Sequence, residues 1–160
     1  MSRREDLDRF YELMHELEDR VGGLRLLSDP RLSRDLPRRG VYFFFEPGEY
    51  REDGRTPRVV RVGTHAVSEG SRTTLWNRLS QHRGRLRGGG GNHRGSIFRL
   101  HVGTALLNRG LADAAAAVQW GSSCRPADEA LRQAERHVEE MVSQYIRSMP
   151  LLWVAVDDPP

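Results

Sequence analysis

Arg78 and His82 stand four residues apart in the stretch Leu75-Trp76-Asn77-Arg78-Leu79-Ser80-Gln81-His82. On a helix that spacing stacks the two side chains on one face, about 6 Å apart. At roughly 100° per residue the pair lies about 60° from the Leu75/Leu79 stripe, so it borders the buried face. A guanidinium and an imidazole converging there can grip one phosphate oxygen and handle one proton. The plainer reading is a surface arginine with a histidine near a helix C-terminus, where the helix dipole favours a cation. Tyr42, within Gly40-Val41-Tyr42-Phe43-Phe44-Phe45-Glu46, is a second group able to move a proton. Its phenol, with an ordinary pKa of about 10, needs nearby cations to lower it. Its plainer reading is a core aromatic among other aromatics.

A third candidate surface is the glycine-rich run from Gly84 to Gly95. Glycines let backbone amides approach a phosphate, and Arg85, Arg87, Asn92, His93 and Arg94 supply donors. The run lacks the Gly-Lys-Ser/Thr of a nucleotide phosphate loop, and His93 has no partner at metal-ligand spacing. The alternative is a flexible linker whose arginines keep it soluble.

Charge distribution favours the binding reading. All 25 basic residues are arginine, a bias that codon usage alone can produce. Codon usage does not, however, strip the acids from 43 consecutive residues, as happens between Glu69 and Asp113. Arg72, Arg78, Arg83, Arg85, Arg87, Arg94, Arg99 and Arg109 all fall there, so this segment carries +8 and the rest of the chain −5 against a net +3. A concentrated positive face suits a polyanion such as DNA or RNA.

The elements that must position these groups are legible from periodicity. Residues 4–21 predict an amphipathic helix, with Leu7, Phe10, Tyr11, Met14, Leu17 and Val21 on one face and Gly22-Gly23 ending it. Residues 24–39 read as a connector with little regular structure. Residues 40–46 and 58–63 predict two strands pairing as an antiparallel hairpin across a polar loop. Ser71 is placed to cap a helix running to about His82, and Arg83 to Gly91 reads as a mobile loop. Ser96 opens the next helix, residues 111–120 a short alanine-rich one, and Pro126 a long one ending at Pro150. Residues 151–156 then predict a third strand. Together these give an α+β (α/β) fold, a small three-stranded antiparallel or mixed sheet flanked by helices, with an added N-terminal helix. Residues 1–36 form the N-terminal helix and connector, and 37–160 the main domain of a single globular unit.

Bulk properties exclude other classes. A length of 160 residues suits one domain. A mean hydropathy of −0.63 fits a globular chain, and no run approaches the roughly 18 apolar residues a membrane helix needs. The charged start, Met1 to Asp6, lacks a signal-peptide core. Cys124 is the sole cysteine, so neither an internal disulfide nor a cysteine metal cluster can form, and a reducing cytoplasm is the expected location.

The order hairpin, arginine-bearing helix, helices, strand resembles the GIY-YIG nuclease superfamily. Gly40-Val41-Tyr42 resembles its first signature, Arg61-Val62-Gly63-Thr64 stands where its second belongs, and residues 75–82 resemble the helix bearing its catalytic arginine. The resemblance covers about residues 37–157. It implies an endonuclease-like hydrolase acting on nucleic-acid phosphodiesters, DNA in this case, with Mg²⁺ or Mn²⁺ as cofactor. It also implies Tyr42 as base, Arg78 as stabiliser of charge on the phosphate, and His82 as a proton-transfer or orienting group. The Arg-x-x-x-His helix is similar to that of the restriction-type branch. Arg72, Arg83, Arg85, Arg87, Asn92, His93 and Arg94 are the expected nucleic-acid contacts.

Two departures qualify the resemblance. Arg61 replaces the second signature's tyrosine, where a cation can still bind the phosphate or lower the Tyr42 pKa. The superfamily's metal-holding glutamate, on a helix after the third strand, has no counterpart, because Asp157-Asp158-Pro159-Pro160 ends the sequence. Glu46 shares Tyr42's strand face but lies about 13 Å along it. Glu135, Glu139 and Glu140 read as the solvated face of the long helix. The metal ligand is therefore unknown, and the chain reads as truncated, with part of the Leu152-Trp153-Val154 face expected to lie bare. The alternative is a non-catalytic nucleic-acid-binding remnant.

Overall fold

The structure, a computed structural model, describes residues 2–66, 70–88, 90–111, 120–121 and 129–157. The chain divides into two compact units, Met1–Trp76 with Met149–Pro160, and Asn77–Ser148.

In the first unit, α1 (Arg3–Val21) starts with a capping box: the Ser2 hydroxyl accepts from the Glu5 N–H and the Glu5 carboxylate accepts from the Ser2 N–H. Gly22, at φ 79°, ends it in the left-handed conformation that glycine adopts without strain. The sheet has four antiparallel strands, β1 (Arg25–Leu26), β2 (Gly40–Tyr50), β3 (Pro57–His65) and β4 (Pro150–Ala155), in the order β1-β4-β2-β3. The predicted hairpin and C-terminal strand are thus present, and a two-residue strand extends the sheet beyond the three expected. The connector that holds β1 also forms a one-turn helix, α2 (Leu32–Asp35), and Arg25 pairs with both Asp29 and Asp35 there.

Alternation along β2 feeds both faces of the sheet. Phe43, Phe45 and Leu152 cluster with Met14 on one face, with Phe10, Leu17, Val21 and Val41 packed around them. Each large apolar side chain buried this way contributes roughly 1.5–3 kcal/mol. Leu152 and Trp153 are 1% and 6% exposed, and Val154 39%. The part of the face that lies bare is therefore Val154 alone of the three, since Leu152 packs with Met14 of α1 and Trp153 is buried. The helix is also fastened to the hairpin, since the Val59 N–H donates to the Tyr11 hydroxyl at 3.1 Å and Arg51 pairs with Asp8 at 2.7 Å.

Helix α3 (Leu75–Arg83) begins four residues after the predicted cap; the Ser71 hydroxyl instead lies 3.2 Å from that of Thr73. The second unit holds the rest of α3, a 3₁₀ turn (His93–Gly95), α4 (Ile97–Asn108) and α5 (Glu129–Ser148). Ser96 caps α4 as predicted, accepting from the Arg99 N–H at 3.2 Å. The predicted alanine-rich helix, apart from Leu111 and Trp120, and Pro126 lie outside the described residues.

Candidate functional site

The candidate residues divide between the units: Tyr42, Arg61 and Arg72 belong to the first, and Arg78, His82, Arg83, Arg85, Arg87, Asn92, His93 and Arg94 to the second. Within the first, Tyr42 is opposite Gly63 on β3 and Trp153 on β4. Its ring lies against the Gly63 backbone: a Cβ there would fall 2.2 Å from Tyr42 Cζ and Oη. The glycine of the second signature is thus the seat of the tyrosine of the first. Tyr42 is 1% exposed and packs edge-to-face on Phe44, ring centroids 5.8 Å apart. Arg61 is opposite Phe44, which puts it on the Tyr42 face of the sheet, and it is half-buried. Arg72 is exposed. Gly63→Ala is expected to expel the tyrosine ring and destabilise the protein by about 1–3 kcal/mol. Chemical denaturation checks this, and wild-type stability would show that the ring can move aside.

In the second unit Arg78 is half-buried, and its Nη1 donates to the Gly95 carbonyl at 3.1 Å and to Gln81 Oε1 at 2.9 Å. Its Nε and Nη2 have no acceptor among the described residues, which leaves one edge of the fork for an external oxygen. His82 is fully buried, with Nδ1 2.7 Å from the Ser96 hydroxyl and its ring edge-on to Phe98. It therefore braces the start of α4.

The described part of the glycine-rich run up to Gly91 has neither helix nor strand, as expected of a loop. Arg85 N–H donates to the Gly90 carbonyl at 2.8 Å, closing it into a turn. A Cβ on Gly91 would meet Arg99 Cζ at 2.2 Å, and one on Gly84 would meet the Ser143 hydroxyl at 2.4 Å. These glycines let the backbone lie on a buried guanidinium.

That guanidinium is the feature sequence reasoning missed. Arg99 is 0% exposed. It donates through Nε to Glu139 Oε2 at 3.0 Å, through Nη1 to the His82 carbonyl at 2.8 Å, and through Nη2 to the Glu139 carbonyl at 2.8 Å and to Ser143 Oγ at 2.9 Å. Its Nη2 also pairs with the Glu139 carboxylate. On the other side of that carboxylate, Oε1 accepts from the His93 N–H at 2.6 Å and lies 3.0 Å from His93 Nδ1. Arg94 forms a two-pronged pair with Glu135 at 2.7 and 2.8 Å. Glu135 and Glu139 are only 2% and 5% exposed, which corrects their expected place on a solvated face. Burial works against the charge of Glu139, but hydrogen bonds from His93 and Arg99 outweigh it and hold the carboxyl below its ordinary pKa. A signal was present: Glu135, Glu139, Val142 and Ile146 follow the i, i+4, i+7, i+11 spacing of a core stripe.

Three expected nucleic-acid contacts are thereby engaged inside the protein. His93 is 4% exposed and stacks on Trp120 with ring centroids 4.2 Å apart. Arg94 holds Glu135, and Asn92 Oδ1 accepts from the Arg94 N–H at 3.0 Å to cap the 3₁₀ turn. Arg85 and Arg87 remain exposed, and Arg83 is half-buried. Burial, then the neighbouring charge of Arg147, lowers the pKa of Arg83.

Among the described residues no group of three or more histidine, cysteine, aspartate or glutamate side chains could hold a metal ion. The buried carboxylates that come nearest are taken up by Arg94, Arg99 and His93. The described side chains do not fit a divalent cation.

A family model described as GIY-YIG domain matches residues 1–160, and the chain belongs to that family. Membership implies nuclease-type activity on nucleic acid; the family's nucleases are generally dependent on a divalent metal. No curated protein and no solved structure matches the chain. No helix among the described residues is long and apolar enough to cross a membrane.

Proposed function

We propose that this chain is an endonuclease-like domain that engages the phosphodiester backbone of DNA, in the cytoplasm. The observation that carries the reading is how the arginines of the acid-free interval are used. Arg94 and Arg99 are consumed by Glu135 and Glu139, whereas Arg85 and Arg87, deep in the acid-free interval, stay exposed with no carboxylate nearby in sequence to neutralise them, and Arg72 at its edge is exposed as well. Arg61 adds a cation on the Tyr42 face of the sheet. In this reading Tyr42 accepts the proton of the attacking water, and the open edge of Arg78 neutralises charge developing on the phosphate. His82 acts as a positioning residue through Ser96. Mg²⁺ or Mn²⁺ is the cofactor class the reading carries, although the described side chains offer it no ligand set.

That same lack of a ligand set favours a second reading, a nucleic-acid-binding domain without catalysis. Both require the arginine surface. Neutralising Arg83, Arg85 and Arg87 together is expected to lower the slope of log K against log salt for duplex DNA by roughly 2 to 3 units. An unchanged slope in a salt titration of binding would show that these arginines never meet the backbone.

A further inference from the structure

Leu86 is 60% exposed, more than any other large hydrophobic side chain among the described residues. It stands between Arg85 and Arg87, both exposed, in the stretch without acids. Single exposed leucines are ordinary; what sets this one apart is its mounting. The base of the loop is fastened on both sides. On the entry side a Cβ at Gly84 would fall 2.4 Å from the Ser143 hydroxyl, and Arg147 Nη2 donates to the Arg85 carbonyl. On the exit side a Cβ at Gly91 would fall 2.2 Å from Arg99 Cζ, so the backbone there lies on the buried guanidinium. Across the base, the Arg85 N–H donates to the Gly90 carbonyl and the Gly90 N–H to the Gly88 carbonyl, both at 2.8 Å. A Cβ on Gly88 would meet nothing within 4 Å. The Leu86-Arg87-Gly88 tip therefore stands clear of the helices that hold its base.

We propose that Leu86 is an apolar wedge that enters a base step of duplex DNA while Arg85 and Arg87 hold the phosphates on either side; this rests on the proposed function. The Cα atoms of residues 85 and 87 are at most about 7 Å apart, close to the roughly 6 Å width of the minor groove. Two long guanidinium side chains so spaced can reach the phosphates of both groove walls with the leucine between them. Leucine has no donor or acceptor with which to read a base edge. What it gains is removal from water between base faces, at the cost of partly unstacking them. Because the loop base is fastened by the fold, less ordering remains to be done on binding. Pyrimidine–purine steps, the easiest to unstack, are the favoured sites. The competing occupant is a protein surface, against which both guanidiniums would be desolvated without the counter-charge that phosphates supply.

The test uses the full 160-residue chain and a duplex of about 20 base pairs, roughly two helical turns, containing several TA steps. Thymine reactivity toward permanganate, which rises when a base is unstacked, is read at every position with the protein at saturation. Wild type is expected to raise it at TA steps, Leu86→Ala to abolish the rise, and Leu86→Met to keep it. The slope of log K against log salt should be the same in Leu86→Ala as in wild type, because no phosphate contact is lost, whereas Arg87→Gln should lower it by about 1. A central mismatch, already unstacked in part, should bind wild type about tenfold more tightly than the matched duplex and Leu86→Ala about equally. Duplex binding with a steep salt slope but no rise in reactivity for wild type overturns the wedge and leaves the proposed function standing; that measurement needs no variant. A rise that persists in Leu86→Ala overturns it as well. Self-association of wild type, lost in Leu86→Ala, would assign the leucine to a protein interface and overturn the wedge. Failure of wild type to bind duplex at any salt overturns the proposed function and the wedge with it.

Discussion

Replacing Glu139 by leucine is expected to destabilise the protein by about 3–5 kcal/mol, a fall in Tm of roughly 10 °C or more. Leucine nearly preserves the volume, so the loss comes from electrostatics. Arg99, with no exposed surface, is left as a buried cation whose fork has lost its carboxylate. His93 loses the acceptor of both its backbone and ring bonds. The double variant Glu139→Leu with Arg99→Met should recover most of the stability, because removing both charges removes the desolvation cost as well. Thermal and denaturant unfolding of the three proteins checks this, and a double variant no better than Glu139→Leu alone would show that the pair is not the source. A pH dependence follows. The Glu139 pKa is lowered in the folded state, so its stabilising contribution is present above the ordinary value of 4.5 and is lost as pH falls below it. Acid unfolding of wild type should therefore be steeper below that value than that of the double variant.

How much of this was legible in the sequence depends on which physical signal each element carries. The amphipathic α1, the hairpin and β4 declared themselves through period and β-branched or aromatic content, and the structure has them within a few residues. The strand β1 did not, because two residues have no period to read. The Tyr42/Gly63 pairing was visible only as two short signatures; that one is the seat of the other is a cross-strand fact. The glycine-rich run was ambiguous for a definite reason. Glycine marks both mobile chain and close approach, and the partner that decides between them, Arg99, is more than a helical turn away in sequence. The arginine count likewise hid that Arg94 and Arg99 are paired internally. Their partners sit on α5, some 40 residues later, and only the helical spacing of Glu135 and Glu139 with Val142 and Ile146 could have pointed to burial. For His82, helix spacing correctly set it beside the core stripe; its bond to Ser96 needed the fold.

Loss of the Tyr42 hydroxyl or of the Arg78 guanidinium is expected to have the largest effect on activity. Proton transfer by a positioned group is worth roughly 10²–10⁴-fold, and one charge-stabilising donor roughly 10²–10³-fold. Tyr42→Phe keeps the ring that packs on Gly63 and Phe44, so these contacts survive and the hydroxyl alone is removed. Arg78→Ala removes the tie to Gly95, so a small loss of stability accompanies the loss of the guanidinium. Absolute rates are expected to be low in both Mg²⁺ and Mn²⁺, since no group of metal ligands stands among the described residues. The ratios between variants are independent of that ceiling. DNA affinity should change by less than about tenfold in either variant, because the exposed Arg72, Arg85 and Arg87 supply the long-range attraction.

Single-turnover nicking of end-labelled duplex DNA in saturating Mn²⁺, by wild type, Tyr42→Phe and Arg78→Ala at matched occupancy, tests the central claim most directly. Slow strand cleavage by wild type, reduced at least about 100-fold in each variant while the fold and binding persist, is the predicted result. Cleavage that proceeds undiminished in both variants would contradict the assignment of Tyr42 and Arg78 to the reaction.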